Sequence, residues 1–251
     1  MPGPAVFEVE TVTRAPSLTE AGRRRMFVRR LLAWYRRHKR DLPWRRTTDP
    51  YHVLVSEIML QQTQVDRVVP KYREFLRKYP SIQALAAASV GSVRETWYPL
   101  GYNIRPVRLH AIARAVVARF KGQIPDDRDT LLGLKGIGPY TAGAVLSFAY
   151  GRRAPILDTN VRRVVQRVFY GMRPRPDSFL WKAVEARLPR RRVYDFNQAL
   201  MDFGATVCVA RTPRCAVCPL PVVCRAYPHF ARAVTSSRAA VRRTGRTGRD
   251  A

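Results

Sequence analysis

Leu134-Lys135-Gly136-Ile137-Gly138-Pro139-Tyr140-Thr141-Ala142-Gly143-Ala144-Val145-Leu146 reads as a tight hairpin between two helices. Asp126 or Asp127 is placed to cap the first helix, which runs through Leu131 and Leu132 into the turn. Gly136 and Gly138 let the backbone turn sharply and bring its N–H groups close to a ligand. Pro139 suits the first helical position, where a missing N–H costs nothing. The second helix then runs apolar to about Tyr150. Its free N–H groups and its dipole form an anion site, with Lys135, Gly136, Gly138 and Thr141 set against the anion. A glycine turn between helices is also a common structural element. Three further features of the chain point to function.

The 251 residues carry 46 Lys+Arg against 18 Asp+Glu, a formal charge of +28. Such a field favours a polyanionic partner and says nothing of fold. A membrane surface is the other common polyanion, but no apolar run is long enough to span a bilayer. Met1 to Gly22 lacks the basic-then-apolar order of a secretion signal. DNA or RNA is the expected partner.

Helical periodicity covers most of the chain. One helix carries Met26, Phe27, Leu31, Leu32, Trp34 and Tyr35 and breaks at Asp41-Leu42-Pro43-Trp44. A strongly apolar helix follows from Val53 to about Leu60, and another is marked by Val65, Val68, Val69, Tyr72, Phe75 and Leu76. Short helices are expected near Ile82–Ala87 and Val90–Trp97, and a longer one from about Pro106 to Phe120. Beyond the hairpin come a helix after Asp158 and two near Phe179–Leu188 and Asp195–Val207. There is no alternating strand pattern of useful length and no fixed-period repeat, so the fold class is all-α. Residues 1–21 carry Pro, Ser and Thr without periodicity and read as disordered. From Pro228 on, Arg, Ser, Ala and Gly read as a solvated basic arm, 228–251.

The first chemical constellation is Cys208-x6-Cys215-x2-Cys218-x5-Cys224, which holds all four cysteines of the chain. One tight cluster points to metal in a reducing compartment rather than to disulfides. Four thiolates at short spacings suit zinc or a [4Fe–4S] cluster. The second is Glu57, inside Val53-Leu54-Val55-Ser56-Glu57-Ile58-Met59-Leu60. An acid in so apolar a run is costly unless paired or protonated, and desolvation raises its pKa toward that of a general acid. Gln61, Gln62 and Thr63 end this helix with hydrogen-bonding groups suited to base edges. The third is Asp158, in Pro155-Ile156-Leu157-Asp158-Thr159-Asn160. It reads as an N-cap, and capping would hold its carboxylate fixed, as a developing sugar cation requires.

Together these segments resemble the helix–hairpin–helix DNA glycosylases of the endonuclease III superfamily, and within it the adenine DNA glycosylase (MutY-type) branch. The resemblance covers roughly Met26 to Tyr227. Ser56 to Val65 is similar to the branch's active-site helix, Leu134 to Tyr150 to its hairpin, and Pro155 to Asn160 to its aspartate segment. The cysteine spacing matches the superfamily's [4Fe–4S] pattern, which implies Cys208, Cys215, Cys218 and Cys224 as ligands.

The resemblance implies two lobes, a six-helix lobe at 45–151 with the hairpin and a cluster lobe combining 22–44 with 152–227. It implies a monomer that works inside the cell on double-stranded DNA with a mismatched or damaged pair, the target base being flipped out of the stack. Glu57 then corresponds to the group that protonates the departing purine, and Asp158 to the group that stabilises the sugar cation. Tyr140 and Asn160 correspond to supporting residues, and Gln62 and Tyr102 to residues that wedge into the duplex.

Three features depart from the branch. Pro99 and Asn103 flank Leu100-Gly101-Tyr102 where the branch has Gly and a second Tyr, and Thr159 replaces a Gly. After Cys224 the chain runs only to Ala251, whereas the branch continues into a Nudix-like domain that helps read 8-oxoguanine. Arg45-Arg46-Thr47 through Asp49-Pro50-Tyr51, Met201-Asp202-Phe203 and Tyr140 are also similar to the thymine/uracil mismatch glycosylases, while Gln61-Gln62-Thr63-Gln64 points to the adenine branch. The expected function is a monofunctional glycosylase removing adenine opposite guanine or 8-oxoguanine. Removal of thymine or uracil opposite guanine is the alternative, and a non-catalytic DNA-binding module is the reading from a different class.

Overall fold

The structure is a computed structural model that describes residues 18–101 and 104–231. Among these the chain is helical, without strands. The expected arm lies mostly outside the described residues, but its boundary moves. Helix α1, Glu20–His38, begins inside it because the Thr19 hydroxyl caps the helix, accepting from the Gly22 N–H at 3.1 Å. Phe27, Leu31, Trp34 and Tyr35 form its buried stripe.

Asp49 accepts hydrogen bonds from the Tyr51 and His52 N–H groups, so helix α2, Pro50–Leu60, starts before the apolar run itself. Residues Tyr51 and Val53 through Met59 are all buried, so this helix is surrounded by protein. Then come α3 (Val65–Lys78), α4 (Ile82–Ala87), α5 (Val90–Trp97), α6 (Ile104–Phe120), α7 (Arg128–Leu132) and α8 (Pro139–Phe148). Helices α3, α6 and α8 pack around α2. A second group holds α9 (Thr159–Val165), α10 (Asp177–Arg187) and α11 (Val193–Thr206), with α1 and α9 both packed on α11. The two groups meet where α8 packs on α11.

Two glycines set how closely the segment 154–160 can lie between these groups. A Cβ on Gly143 of α8 would sit 2.2 Å from the Pro155 carbonyl oxygen, and one on Gly204 of α11 would sit 2.7 Å from the Asn160 Cβ. Only bare backbone allows both approaches. Helix α9 does not simply end. It widens into a π-helical turn, Gln166–Tyr170, which periodicity did not foretell.

The basic arm expected from Pro228 also needs correction. Residues 227–231 are helical, and Phe230 lies under the Arg167 guanidinium, 4.6 Å from its ring centroid. This aromatic anchors the segment to the fold. The remainder of that arm lies outside the described residues. No described helix is long and apolar enough to cross a membrane.

Candidate functional site

In the hairpin, Asp127 is the cap of α7, accepting from the Thr130 N–H at 2.8 Å. Gly136 has φ +107°, the left-handed region that makes the turn depend on glycine. Gly138 differs from expectation. Its φ is −96°, open to any residue, and a Cβ there would meet nothing within 4 Å. The missing side chain therefore leaves open space before α8 rather than bending the chain. The first bond within α8 runs from the Ala142 N–H to the Gly138 carbonyl, so the N–H groups of Tyr140 and Thr141 precede it. Lys135 is exposed beside them. The Thr141 side chain, in contrast, is buried on the inner face of α8, so only its backbone can face a phosphate.

The C-terminal end of α2, the start of α8 and the start of α9 surround a cavity of about 720 Å³. Glu57, Gln61, Gln62, Thr63, Tyr140, Asp158 and Asn160 all line it, so residues from three separate stretches converge. The volume accommodates a nucleobase. A larger groove, about 850 Å³, opens beside Asp49, Asp126 and Asp127. Its carboxylates are already used: Asp49 and Asp127 cap helices, and Asp126 pairs with Arg152.

Glu57 is 3% exposed, and its Oε2 has no hydrogen-bond partner among the described residues. Burial raises its pKa to about 7; the neighbouring Tyr140 hydroxyl and Arg45 oppose this, and Asp158 adds to it. A carboxyl in this setting holds a proton it can give away near neutral pH. Burial, with the negative neighbours Glu57 and Asp158, pushes the Tyr140 phenol well above its ordinary value. Tyr140 therefore stays neutral, its O–H donating to the Met201 Sδ at 3.4 Å.

Asp158 is the N-cap of α9. Its Oδ1 accepts from the Val161 N–H at 2.6 Å and its Oδ2 from the Asn160 Nδ2 at 3.0 Å. Asn160 is itself oriented. Its Oδ1 accepts from Arg163 Nη2 at 2.7 Å, and Arg163 also donates to the Gly204 and Cys208 carbonyls.

Sequence reasoning missed several residues here. Asp202, fully buried, accepts two hydrogen bonds from Arg45, at 2.8 and 2.9 Å, and one from Arg40 Nε at 2.7 Å. Burial alone would raise its pKa, but the bonds and charges of Arg45 and Arg40 outweigh burial and hold the carboxyl below its ordinary range. Asp202 thus occupies the guanidinium of Arg45, which shares the cavity with Glu57. Gln198, 3% exposed, also lines the cavity, with its Oε1 lacking a partner among the described residues. A buried acid in the apolar run of α11 is the same signal that singled out Glu57.

Of the residues expected to meet DNA, Thr63 is placed differently. Tyr102 lies outside the described residues. Thr63 is half-buried, and its hydroxyl accepts from Arg105 Nη2 at 3.0 Å, so it is tied to the protein rather than turned outward. Gln62 is exposed at φ 56°.

The four cysteines line one small apolar cavity, closed by Leu220, Tyr227 and Phe230. Arg167, from the π-helical turn, donates to the Val209 carbonyl at 2.7 Å and to the Cys208 sulfur at 3.6 Å. The Leu220 N–H points at the Cys218 sulfur at 3.4 Å. Burial pushes Cys218 to about 12 and Cys224 to about 11, so these thiols ionise only beside a compensating positive centre. Among the described residues no three metal-binding side chains close on a single ion. The donor set, four sulfurs facing one cavity with N–H groups aimed at two of them, fits a thiolate-bound cluster.

Residues 55–183 match the HhH-GPD superfamily of base excision DNA repair proteins. An adenine DNA glycosylase of Mycobacterium tuberculosis is 45% identical over 214 residues, covering 82% of this chain and 68% of that one. A thymine/uracil-DNA glycosylase of Pyrobaculum aerophilum is 43% identical over 198 residues, covering 76% of this chain and 86% of that one. Among solved structures, a thermostable thymine-DNA glycosylase superposes with a TM-score of 0.78 at 32% identity, covering 82% of this chain and 97% of that one. The chain belongs to the HhH-GPD superfamily, whose members are base excision repair enzymes.

Proposed function

We propose that this protein is a monofunctional DNA glycosylase that removes adenine paired with guanine or 8-oxoguanine. The observation that carries this reading is Glu57, buried and protonatable, in one cavity with the fixed carboxylate of Asp158. Glu57 gives its proton to N7 of a flipped adenine while the N9–C1′ bond breaks and the bonding electrons leave with the base. Asp158 stabilises the positive charge left on the sugar. Water adds its hydroxyl to C1′, and its remaining proton returns to the Glu57 carboxylate.

Thymine or uracil release is the second reading, supported by the relative of 43% identity and by Tyr140. Duplexes carrying A·8-oxoguanine, A·G, T·G or U·G separate the two when each is incubated with enzyme and then treated with alkali. Scission on the adenine strand is expected, and only after alkali. No lysine is among the residues lining the cavity, and a neutral phenol cannot form the Schiff base that nicks DNA. Scission confined to thymine or uracil strands would hand the assignment to the second reading.

DNA is held in part by the hairpin. Gly138→Asp is expected to weaken binding to every duplex, since it sets a carboxylate before the N-terminus of α8. The backbone there accepts any residue, and Asp is a good cap, so the melting temperature should not fall. Wild-type affinity should fall with salt at a log–log slope of about −0.9 per phosphate contact. Unchanged affinity in the variant would remove the hairpin from the DNA interface.

Cys208, Cys215, Cys218 and Cys224 are the ligands we assign to a [4Fe–4S] cluster. When bound, it supplies iron–thiolate bonds that tie residues 208–224 together. Anaerobically purified protein should be brown and hold about four irons per chain. Stoichiometric zinc without iron would contradict the assignment. The work is done by a monomer, inside the cell and on its DNA, with the helices around α2 forming one lobe and α1 with α9–α11 the other.

A further inference from the structure

Arg105 stands apart from the chemistry and yet carries an unusual set of bonds. It lies near the start of α6, 3% exposed, with the Trp97 ring centroid 5.5 Å from its guanidinium. Its Nη1 donates to the carbonyls of Ile58 at 3.3 Å, Met59 at 2.9 Å and Gln61. Its Nη2 donates to the Thr63 hydroxyl at 3.0 Å and to the carbonyls of Leu100 at 3.1 Å and Gly101 at 3.2 Å. The first set belongs to the end of α2 and the turn after it, whose carbonyls lack helical donors and sit at the negative end of the dipole. The second adds Thr63 of the same turn and then reaches the loop before α6, some forty residues away. Each loop has a residue in the left-handed region at this point, Gln62 at φ 56° and Gly101 at φ 73°. Arg67 makes a second tie, donating to the Pro99 carbonyl at 2.8 Å.

We propose that Arg105 is a positioning residue that locks the Gln61–Thr63 turn and the Leu100–Gly101 turn into one rigid edge, so that duplex opening and base extrusion are driven by both together. This rests on the glycosylase reading. Two separate loops pressed into a stacked duplex would yield to it; bound to one planar guanidinium, they act as a single body. A lysine keeps the charge but is a point donor on a flexible stem and cannot span both turns.

The test compares Arg105→Lys with the wild type in single-turnover release of adenine from two duplexes. In one the adenine is stacked opposite 8-oxoguanine; in the other it lies in an unpaired bulge, already free to leave the stack. A misplaced edge should slow the stacked substrate by about 10²-fold, as positional errors of this kind do. The bulged substrate should be slowed far less. A role confined to folding slows both alike, and equal slowing would overturn the proposal while leaving the glycosylase reading intact. Thr63→Val removes only the hydroxyl acceptor and should show the same bias on a smaller scale if Arg105→Lys fails to fold. Wild-type protein that releases adenine from neither duplex would remove the adenine reading, and this proposal in its present form with it.

Discussion

Asp158→Asn is expected to fold as the wild type does and to release any base about 10³-fold more slowly, as loss of a preorganised charge does elsewhere. Asparagine caps a helix about as well as aspartate, so the bond from the Val161 N–H and the start of α9 survive. The negative charge does not. Breaking the glycosidic bond leaves positive charge on the sugar, whichever base departs, so the loss should be similar for adenine, thymine and uracil. Single-turnover rates paired with thermal melting check this. A variant that melts normally and still cuts at the wild-type rate would remove Asp158 from the chemistry.

Glu57→Gln is expected to separate the bases where Asp158→Asn does not. Adenine needs a proton at N7 to become a good leaving group, and glutamine has none to give, so adenine release should fall by about 10³-fold. Thymine and uracil have no N7, leave as stabilised anions and should lose much less. The wild-type rate on adenine should also fall as pH rises through about 7, where burial places the Glu57 pKa.

Stability carries the same signature with a definite sign. The folded-state pKa of Glu57 is raised from 4.5 to about 7, so between these values the folded chain holds a proton that the unfolded chain has released. The stabilisation is complete below 4.5 and is lost as pH rises through about 7. The raised pKa amounts to about 3 kcal/mol, which Glu57→Gln should remove from the pH dependence of melting.

Much of this site can be read from the sequence because its cues are local. An acid between Ser56 and Ile58 conflicts with its own neighbours. Asp158 stands directly before a helical run, and four cysteines share one short segment. What escaped depends on distance along the chain. Arg45 and Asp202 are 157 positions apart, and their pairing exists only once α11 folds back on α1 and meets the turn that follows it. Arg105 is one of 46 Lys+Arg, and nothing in its surroundings announces that it is buried against two turns. Gln198 is one of two adjacent amides on a helix whose inward face is set by contacts with α1, α8 and α9.

The misreadings have a similar origin. The sequence places Thr63 among groups suited to base edges and Thr141 at the anion site of the hairpin. Helix phase turns Thr141 inward, and Arg105 engages Thr63. Gly138 is expected to turn the chain together with Gly136, whereas its backbone is ordinary and the space beside it is the feature that matters.

The central claim is that Glu57 delivers its proton to N7 of adenine. Single-turnover release from two duplexes differing in one ring atom tests it most directly: adenine opposite 8-oxoguanine, and 7-deazaadenine in the same position. Adenine should be released, while 7-deazaadenine, which pairs and stacks like adenine but has carbon where the proton must go, should stay attached although the enzyme still binds the duplex. Release of both bases at comparable rates would contradict protonation at N7 and with it the role assigned to Glu57.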